Sequence, residues 1–464
     1  MGAVTRTGRT LALLALPALA LATVTFHRQW HWYMADVGRS AAQLTDSGYI
    51  VSGGLQVTSS TFGAVLARTN DLGETTSVRR ILNLNRDGGY SCRLSDGGYA
   101  VLAESGGKIL VRKYSPAGDS AWEYRSTWGG PISAFIPTFD GGCLVAGRIP
   151  DTAFDMGAIK LAADGREEWT RHYDEPLVTE TWARGACQTR DSGYVLCGDA
   201  NDYISTNMRL VRLTPGGDTV WTRLHHGPVG PMLTDVREMP DTGFLAVGYE
   251  FDTLHNRSAL YMLRTDSRGD TVWTRHLAPG AAAQAAAMCA TRDGGFAIVG
   301  TIDWTDSARV WLVKTNSNGD TSWTRILGGP GRETGSDIEQ TADGGYIIAG
   351  TTDSAGGSLL LIKTDSLGGV QVGLAEGRLT PDASRPPLEV CPNPARGTVS
   401  INRSPFGNAD ARLTMHDVSG GLVYSSLVTR ATSFRLDLGS MPAGVYLLRL
   451  DSDRGSATQK VVIE

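Results

Sequence analysis

One short pattern recurs seven times at a nearly constant interval, and that repetition limits the fold more than any single residue can. The pattern is Asp, any residue, Gly, an aromatic residue and then an apolar run. Its Asp falls at Asp46, Asp96, Asp140, Asp191, Asp241, Asp293 and Asp343, with spacings of 50, 44, 51, 50, 52 and 50. Gly follows two residues later in all seven copies, and the next residue is Tyr or Phe in six, Cys143 being the exception. An Asp-x-Gly step between apolar runs reads as a hairpin turn in which that Gly supplies the positive φ. The runs that follow, such as Tyr-Ile-Ile-Ala-Gly at 346–350, do not alternate, which suits a strand buried on both faces.

A second Gly recurs in every copy, at Gly73, Gly118, Gly165, Gly217, Gly269, Gly319 and Gly368. Trp lies four residues beyond it in five copies: Trp122, Trp169, Trp221, Trp273 and Trp323. Ser77 and Val372 stand there in the first and last. Each period therefore holds four short strands and leaves no room for a helix. The composition agrees, with 57 Gly in 464 residues and only 20% charged residues. The expected fold class is all-β: a seven-bladed β-propeller of four-stranded blades over 23–375, with the aromatic rings packed between neighbouring blades.

An open array would expose two sheet edges, so the ring needs closing. Trp221, Trp273 and Trp323 each stand 20 residues before the next turn Asp. The same count back from Asp46 reaches Phe26, and Arg28 then falls where Arg223, Arg275 and Arg325 fall. Residues 23–32 are expected to complete the seventh blade, beside the third strand of the last repeat.

The chain begins with Arg6 and Arg9 ahead of the apolar run Leu11 to Val24, interrupted by Pro17. That run is too short to span a bilayer, and Ala20-Leu21-Ala22 offers a small-x-small cleavage site, so residues 1–22 read as a signal peptide. No Cys lies near the cleavage point, and no other stretch is apolar and long enough to cross a membrane. The net charge is −5, with no long run of either sign, which argues against a nucleic-acid partner.

Residues 376–388 read as a Pro-bearing linker. Beyond them the chain carries Pro392-Asn393-Pro394, then Asp417-Val418-Ser419-Gly420, then Leu438-Gly439-Ser440-Met441-Pro442-Ala443-Gly444-Val445-Tyr446, and ends near Lys460-Val461-Val462. The pattern is that of about six strands in a small β-sandwich over 389–464. These residues resemble the C-terminal sorting domain of type IX secretion cargo, type A. Cys391 and Gly421 depart from its usual residues. The resemblance implies handling by the type IX secretion machinery through 389–464, export across a Gram-negative outer membrane, removal of the domain, and then release or surface attachment. The seven repeats are similar to uncharacterised secreted repeats found upstream of such tails, which implies fold and location but no activity.

No residue presents itself as catalytic, cofactor-binding or metal-ligating. The Asp266, Gly269 and Trp273 spacing differs from the sialidase Asp-box, and the chain lacks the adjacent cysteines usual in quinoproteins; in both families the element packs blades. Asp218, Asp270 and Asp320 in the second turns are expected to hydrogen-bond their own turn backbone rather than Ca²⁺. Cys187 and Cys197 flank the Asp191 turn and could face each other in a disulfide, although small buried apolar residues are the better account of the cysteines. The eight His form no metal pattern, His27, His31 and the pair His225-His226 included.

The expected function is that of a monomeric binding or interaction module with an extracellular ligand, glycan or protein. The ligand would lie at a channel mouth among loops such as 201–207, 251–257 and 302–308. A glycan-acting hydrolase or lyase and a purely structural surface protein are the alternatives. Two or three carboxylates with raised pKa values converging at the mouth would point to an enzyme.

Overall fold

The computed structural model describes residues 24–370, apart from 34, 59–60, 85–88, 106, 128, 151–153, 175–179, 202–205, 227–229, 253–256, 278–281, 304–306, 330 and 354–356, together with 389–463, apart from 392, 403–410, 417–421, 429–432, 440 and 453–454. The leader expected at 1–22 and the linker at 376–388 lie outside these residues. The chain divides into two compact units, Met1–Val372 and Gly373–Glu464.

The first unit holds seven antiparallel four-stranded sheets. Blade 1 spans 35–84, blade 2 90–125, blade 3 132–173, blade 4 180–225, blade 5 232–277, blade 6 283–327 and blade 7 333–364. Blades 3 and 4 are also joined by a single parallel pair, Phe154 with Glu180. The first strand of each blade lies against the first strand of the next, and that of blade 7 against that of blade 1, so the strands ring an axis. Blade 7 contributes only three strands of its own. Its fourth is Phe26–Trp30, antiparallel to Ser358–Thr364 in the register Phe26 to Lys363 through Trp30 to Leu359. The count of 20 residues thus located the closing strand.

Aromatic rings join the blades as the spacing implies. Trp169 meets Tyr194 edge to face at 5.9 Å, Trp221 meets Phe244 at 5.9 Å and Trp323 meets Tyr346 at 6.1 Å. Phe26 takes the same place against Tyr49 at 5.5 Å. Each ring also covers the second turn of the next blade. A Cβ at Gly217, where φ is +84°, would stand 2.8 Å from the Trp169 ring, so glycine is required there by backbone and by space. Trp169→Ala should therefore destabilise the ring by about 3–5 kcal/mol, read by urea titration; a loss under about 1 kcal/mol would mean that the ring does not wedge the blades.

The first turn corrects the sequence reading. Positive φ belongs to the middle residue (Ser47, Gly97, Gly141, Ser192, Thr242, Gly294 and Gly344), not to the Gly after it. That Gly is needed for close approach: a Cβ on Gly142 would lie 2.0 Å from the Leu161 carbonyl oxygen, and one on Gly345 would lie 2.1 Å from that of Thr364. The turn Asp accepts the N–H of this Gly, as Asp343 Oδ1 does from Gly345 at 3.0 Å. It also pairs with a cation from the third strand in every blade: Arg68, Lys113, Lys160, Arg212, Arg264, Lys314 and Lys363.

A second correction concerns Asp218, Asp270 and Asp320. The residue that caps its own turn stands earlier. Asp266 Oδ1 accepts from Arg268 and Asp270 N–H, and Asn316 Oδ1 does the same for Asn318 and Asp320. The carboxylates singled out from the spacing instead receive an Arg from the preceding blade: Arg171 with Asp218, Arg223 with Asp270 and Arg275 with Asp320.

The second unit is a sandwich of a three-stranded sheet (Glu389–Cys391, Thr398–Asn402 and Ser433–Asp437) and a four-stranded one (Ala411–His416, Leu422–Val428, Gly444–Ser452 and Gly455–Ile463). Ala395, Val399, Leu413, Met415, Leu448 and Val461 form its core. Two residues of the quoted motifs tie it together. Asn393 Oδ1 accepts the Val462 N–H at 2.9 Å, and the Tyr446 hydroxyl donates to the Pro442 carbonyl at 2.8 Å.

Candidate functional site

Antiparallel order puts both glycine turns of every blade on one face of the ring. The connections between the second and third strands, and between one blade and the next, lie on the other. The turn face is tied shut by side chains three residues before the turn Asp. Gln43, Gln188, Glu238 and Gln340 accept the N–H of Ala342, Phe139, Arg190 and Arg292 in the preceding blade. Blade 6 has Ala290 at this position, and the residue it would hold in blade 5 is Pro240, which has no N–H to give.

Deeper in the ring, the first strands of blades 1 and 3–7 each carry a β-bulge one residue before a recurring position. In blades 5 and 7 that position is an acid. Asp235 Oδ2 accepts the Met288 N–H of blade 6 at 2.9 Å, and Asp337 Oδ2 accepts the Ala41 N–H of blade 1 at 3.0 Å. Glu339 Oε2 accepts the Gln43 N–H at 3.0 Å. Burial pushes Asp337 up to about 6, against the Ala41 and Ile338 N–H groups that favour its charge; Asp235 adds to the rise and Arg237 opposes it. Burial pushes Glu339 up to about 7, against the Gln43 N–H; Asp337 adds to the rise and Arg93 opposes it. Asp235 is raised by burial too, with Arg237 paired to it.

Three acids with raised pKa values are the arrangement expected of an enzyme, yet every one of them is engaged with backbone N–H groups that join blades. Their geometry is that of ring closure. A raised acid contributes its stability below its unfolded pKa and loses it as pH rises through the folded value. Glu339→Gln, which keeps an acceptor for Gln43, should thus raise the melting temperature at pH 8 and leave it unchanged at pH 4. An equal change at both values would show that the charge of Glu339 is immaterial.

The opposite face carries a cleft of about 240 Å³ at blades 3–5. The first strand of blade 4 presents Glu180, Trp182 and Arg184 at alternate positions toward it. The Trp182 indole N–H donates to Ser133 Oγ at 3.0 Å, and the Arg184 guanidinium lies 4.0 Å over its ring. Arg184 Nε donates to Asp199 Oδ1 at 2.7 Å, and Arg148 pairs with Glu180 at 2.9 Å. Asn201, Thr206, Gly230 and Met232 complete the wall. Asn201 and Thr206 belong to the expected ligand loop 201–207, whose residues 202–205 lie outside those described, as do 253–256 and 304–306 of the other two. The strand residues were not anticipated. Their signal was present: Glu-Thr-Trp-Ala-Arg sets Glu180 and Arg184 where blade 6, with Ala-Ala-Gln-Ala-Ala at 282–286, carries Ala282 and Ala286.

Cys187 and Cys197 are free and buried, as are Cys92 and Cys143. The hairpin pairs Cys187 with Val195 and Cys197 with Gly185, because it is symmetric about residue 191 rather than 192. His27 Nε2 meets Glu333 at 3.1 Å, the His31 ring meets the Gly357 carbonyl, and His225 and His226 turn to Thr271 and Asn207. Among the described residues no three His, Cys, Asp or Glu come together as a metal site, and no helix is long and apolar enough to cross a membrane.

Residues 389–464 match the family model described as secretion system C-terminal sorting domain, so the chain carries a type IX sorting domain. No curated protein sequence matches the chain. Several solved structures are similar to the chain over about three quarters of its length. A virginiamycin B lyase from Staphylococcus aureus is 11% identical with a TM-score of 0.46, covering 73% of this chain and 99% of that one. The propeller domain of the trilobed protease from Pyrococcus furiosus is 9% identical with a TM-score of 0.44, covering 74% and 98%. The Dos1 propeller is 9% identical with a TM-score of 0.46, covering 74% and 95%. At such identities the likeness carries nothing about activity.

Proposed function

We propose that this exported propeller is a binding module, released from the cell or held on the outer surface of a Gram-negative bacterium, with its ligand in the cleft at blades 3–5. The observation behind this reading is how the charged groups are divided. Three of the raised acids, Asp235, Asp337 and Glu339, are committed to backbone N–H groups between blades, and Asp36 and Asp155, raised chiefly by burial, do not line the cleft. The cleft instead offers guanidinium and carboxylate groups fixed on strand ends, which suits recognition. The ligand is an extracellular glycan or protein. Screening the full chain against glycan and peptide arrays should give binding that Arg184→Ala removes and Arg28→Ala, remote from the cleft, leaves intact. Binding indifferent to Arg184 would dismiss the site. Deleting 389–464 should leave the propeller in the periplasm.

A glycan hydrolase or lyase is the second reading, favoured by Glu339 and Asp337, since acids titrating near 7 and 6 can shuttle protons. Hydrolysis of an arrayed glycan that Glu339→Gln abolishes would put this reading first.

A further inference from the structure

Resting on the cleft as the binding site, we infer that its ligand is an uncharged saccharide. Charge balance is the first reason. Arg148 is neutralised by Glu180 and Arg184 by Asp199, each at hydrogen-bond distance, so the site presents no net field to draw an anion or a cation. Donor pattern is the second. Each pair sets guanidinium N–H donors beside carboxylate acceptors on neighbouring strand positions, and Asn201 repeats the combination in one amide. Adjacent sugar hydroxyls, each able to donate and accept, match that alternation, whereas a phosphate or carboxylate would meet the acidic oxygens of Glu180 and Asp199. Rigidity is the third. Trp182 is held by Ser133 through its N–H and lies against two guanidinium groups, Arg184 at 4.0 Å and Arg148 at 5.9 Å from its ring centre, so the polar groups of the cleft are fixed in place before a ligand arrives. Lining groups on strand ends rather than on loop tips keep this arrangement without a ligand.

The test is calorimetric titration of the full chain with a panel of neutral mono- and disaccharides, a uronic acid, inorganic phosphate and an oligoglutamate peptide, at low and high salt. A neutral saccharide should bind with little dependence on salt. Asp199→Asn, which strips the carboxylate and frees Arg184, should weaken it by about ten- to hundredfold. The melting curve checks that this variant folds, and Asn201→Ala, at the cleft edge, should weaken binding independently. If phosphate or the acidic peptide binds instead, and Asp199→Asn tightens it, the saccharide assignment falls while the cleft survives as a site. If no probe binds and neither substitution matters, both fall.

Discussion

A chain lacking residues 24–32 should lose its cooperative melt or melt far below the intact protein. The closing strand Phe26–Trp30 covers the third strand of blade 7, where Leu359 to Ile362 are fully buried, and fills the seam between blades 7 and 1. Removing it uncovers a row of unpaired backbone groups on an apolar strand, an edge that invites aggregation. The milder form is Phe26→Ala. Phe26 is 6% exposed and packs on Tyr49 and over Gly73. A cost of about 3–5 kcal/mol would lower the melting temperature by on the order of 10 °C. An intact melt in the deletion, measured calorimetrically, would mean that the ring is held elsewhere.

The second large effect separates seven ion pairs that look alike. Lys363 is fully buried, and its ammonium donates to both Asp343 oxygens, at 3.1 and 2.8 Å, and to the Thr364 carbonyl at 2.8 Å. Asp343→Ala leaves that charge without its partner in the blade and should cost about 3–5 kcal/mol. Adding Lys363→Met should recover most of the loss, because the buried charge is then absent along with its partner. Asp46→Ala breaks the same contact in blade 1, where Arg68 and Asp46 are 34% and 54% exposed, and should cost about 1 kcal/mol or less. Equal losses in urea melts of Asp343→Ala and Asp46→Ala would show that burial does not grade these pairs.

The blade pattern was legible because each element of it is local. Trp, Gly and the apolar run recur at set distances, and a displaced Phe26 still betrays itself by its count to Asp46. The cation of each pair was legible too, although it was not read: a basic residue stands five before the second turn Gly in every copy, from Arg68 before Gly73 to Lys363 before Gly368. The duty of the turn glycines was misassigned, because a left-handed residue and a glycine pressed against a carbonyl look the same in a sequence. Cys187 and Cys197 were placed opposite each other by symmetry about residue 192, whereas the hairpin folds about residue 191.

Repetition alone determined the number of blades, their interleaved rings and the strand that closes them, since each copy must bury the same faces against the next. The tail motifs determined that the protein is sorted for export. What Asp235, Asp337 and Glu339 do, and that Glu180, Trp182, Arg184 and Asp199 share a cleft, was decided only by the tertiary structure. Those roles depend on which backbone N–H groups the bulges turn across a seam, and on which strand ends the curvature of the ring brings together. Neither quantity is a property of any one repeat.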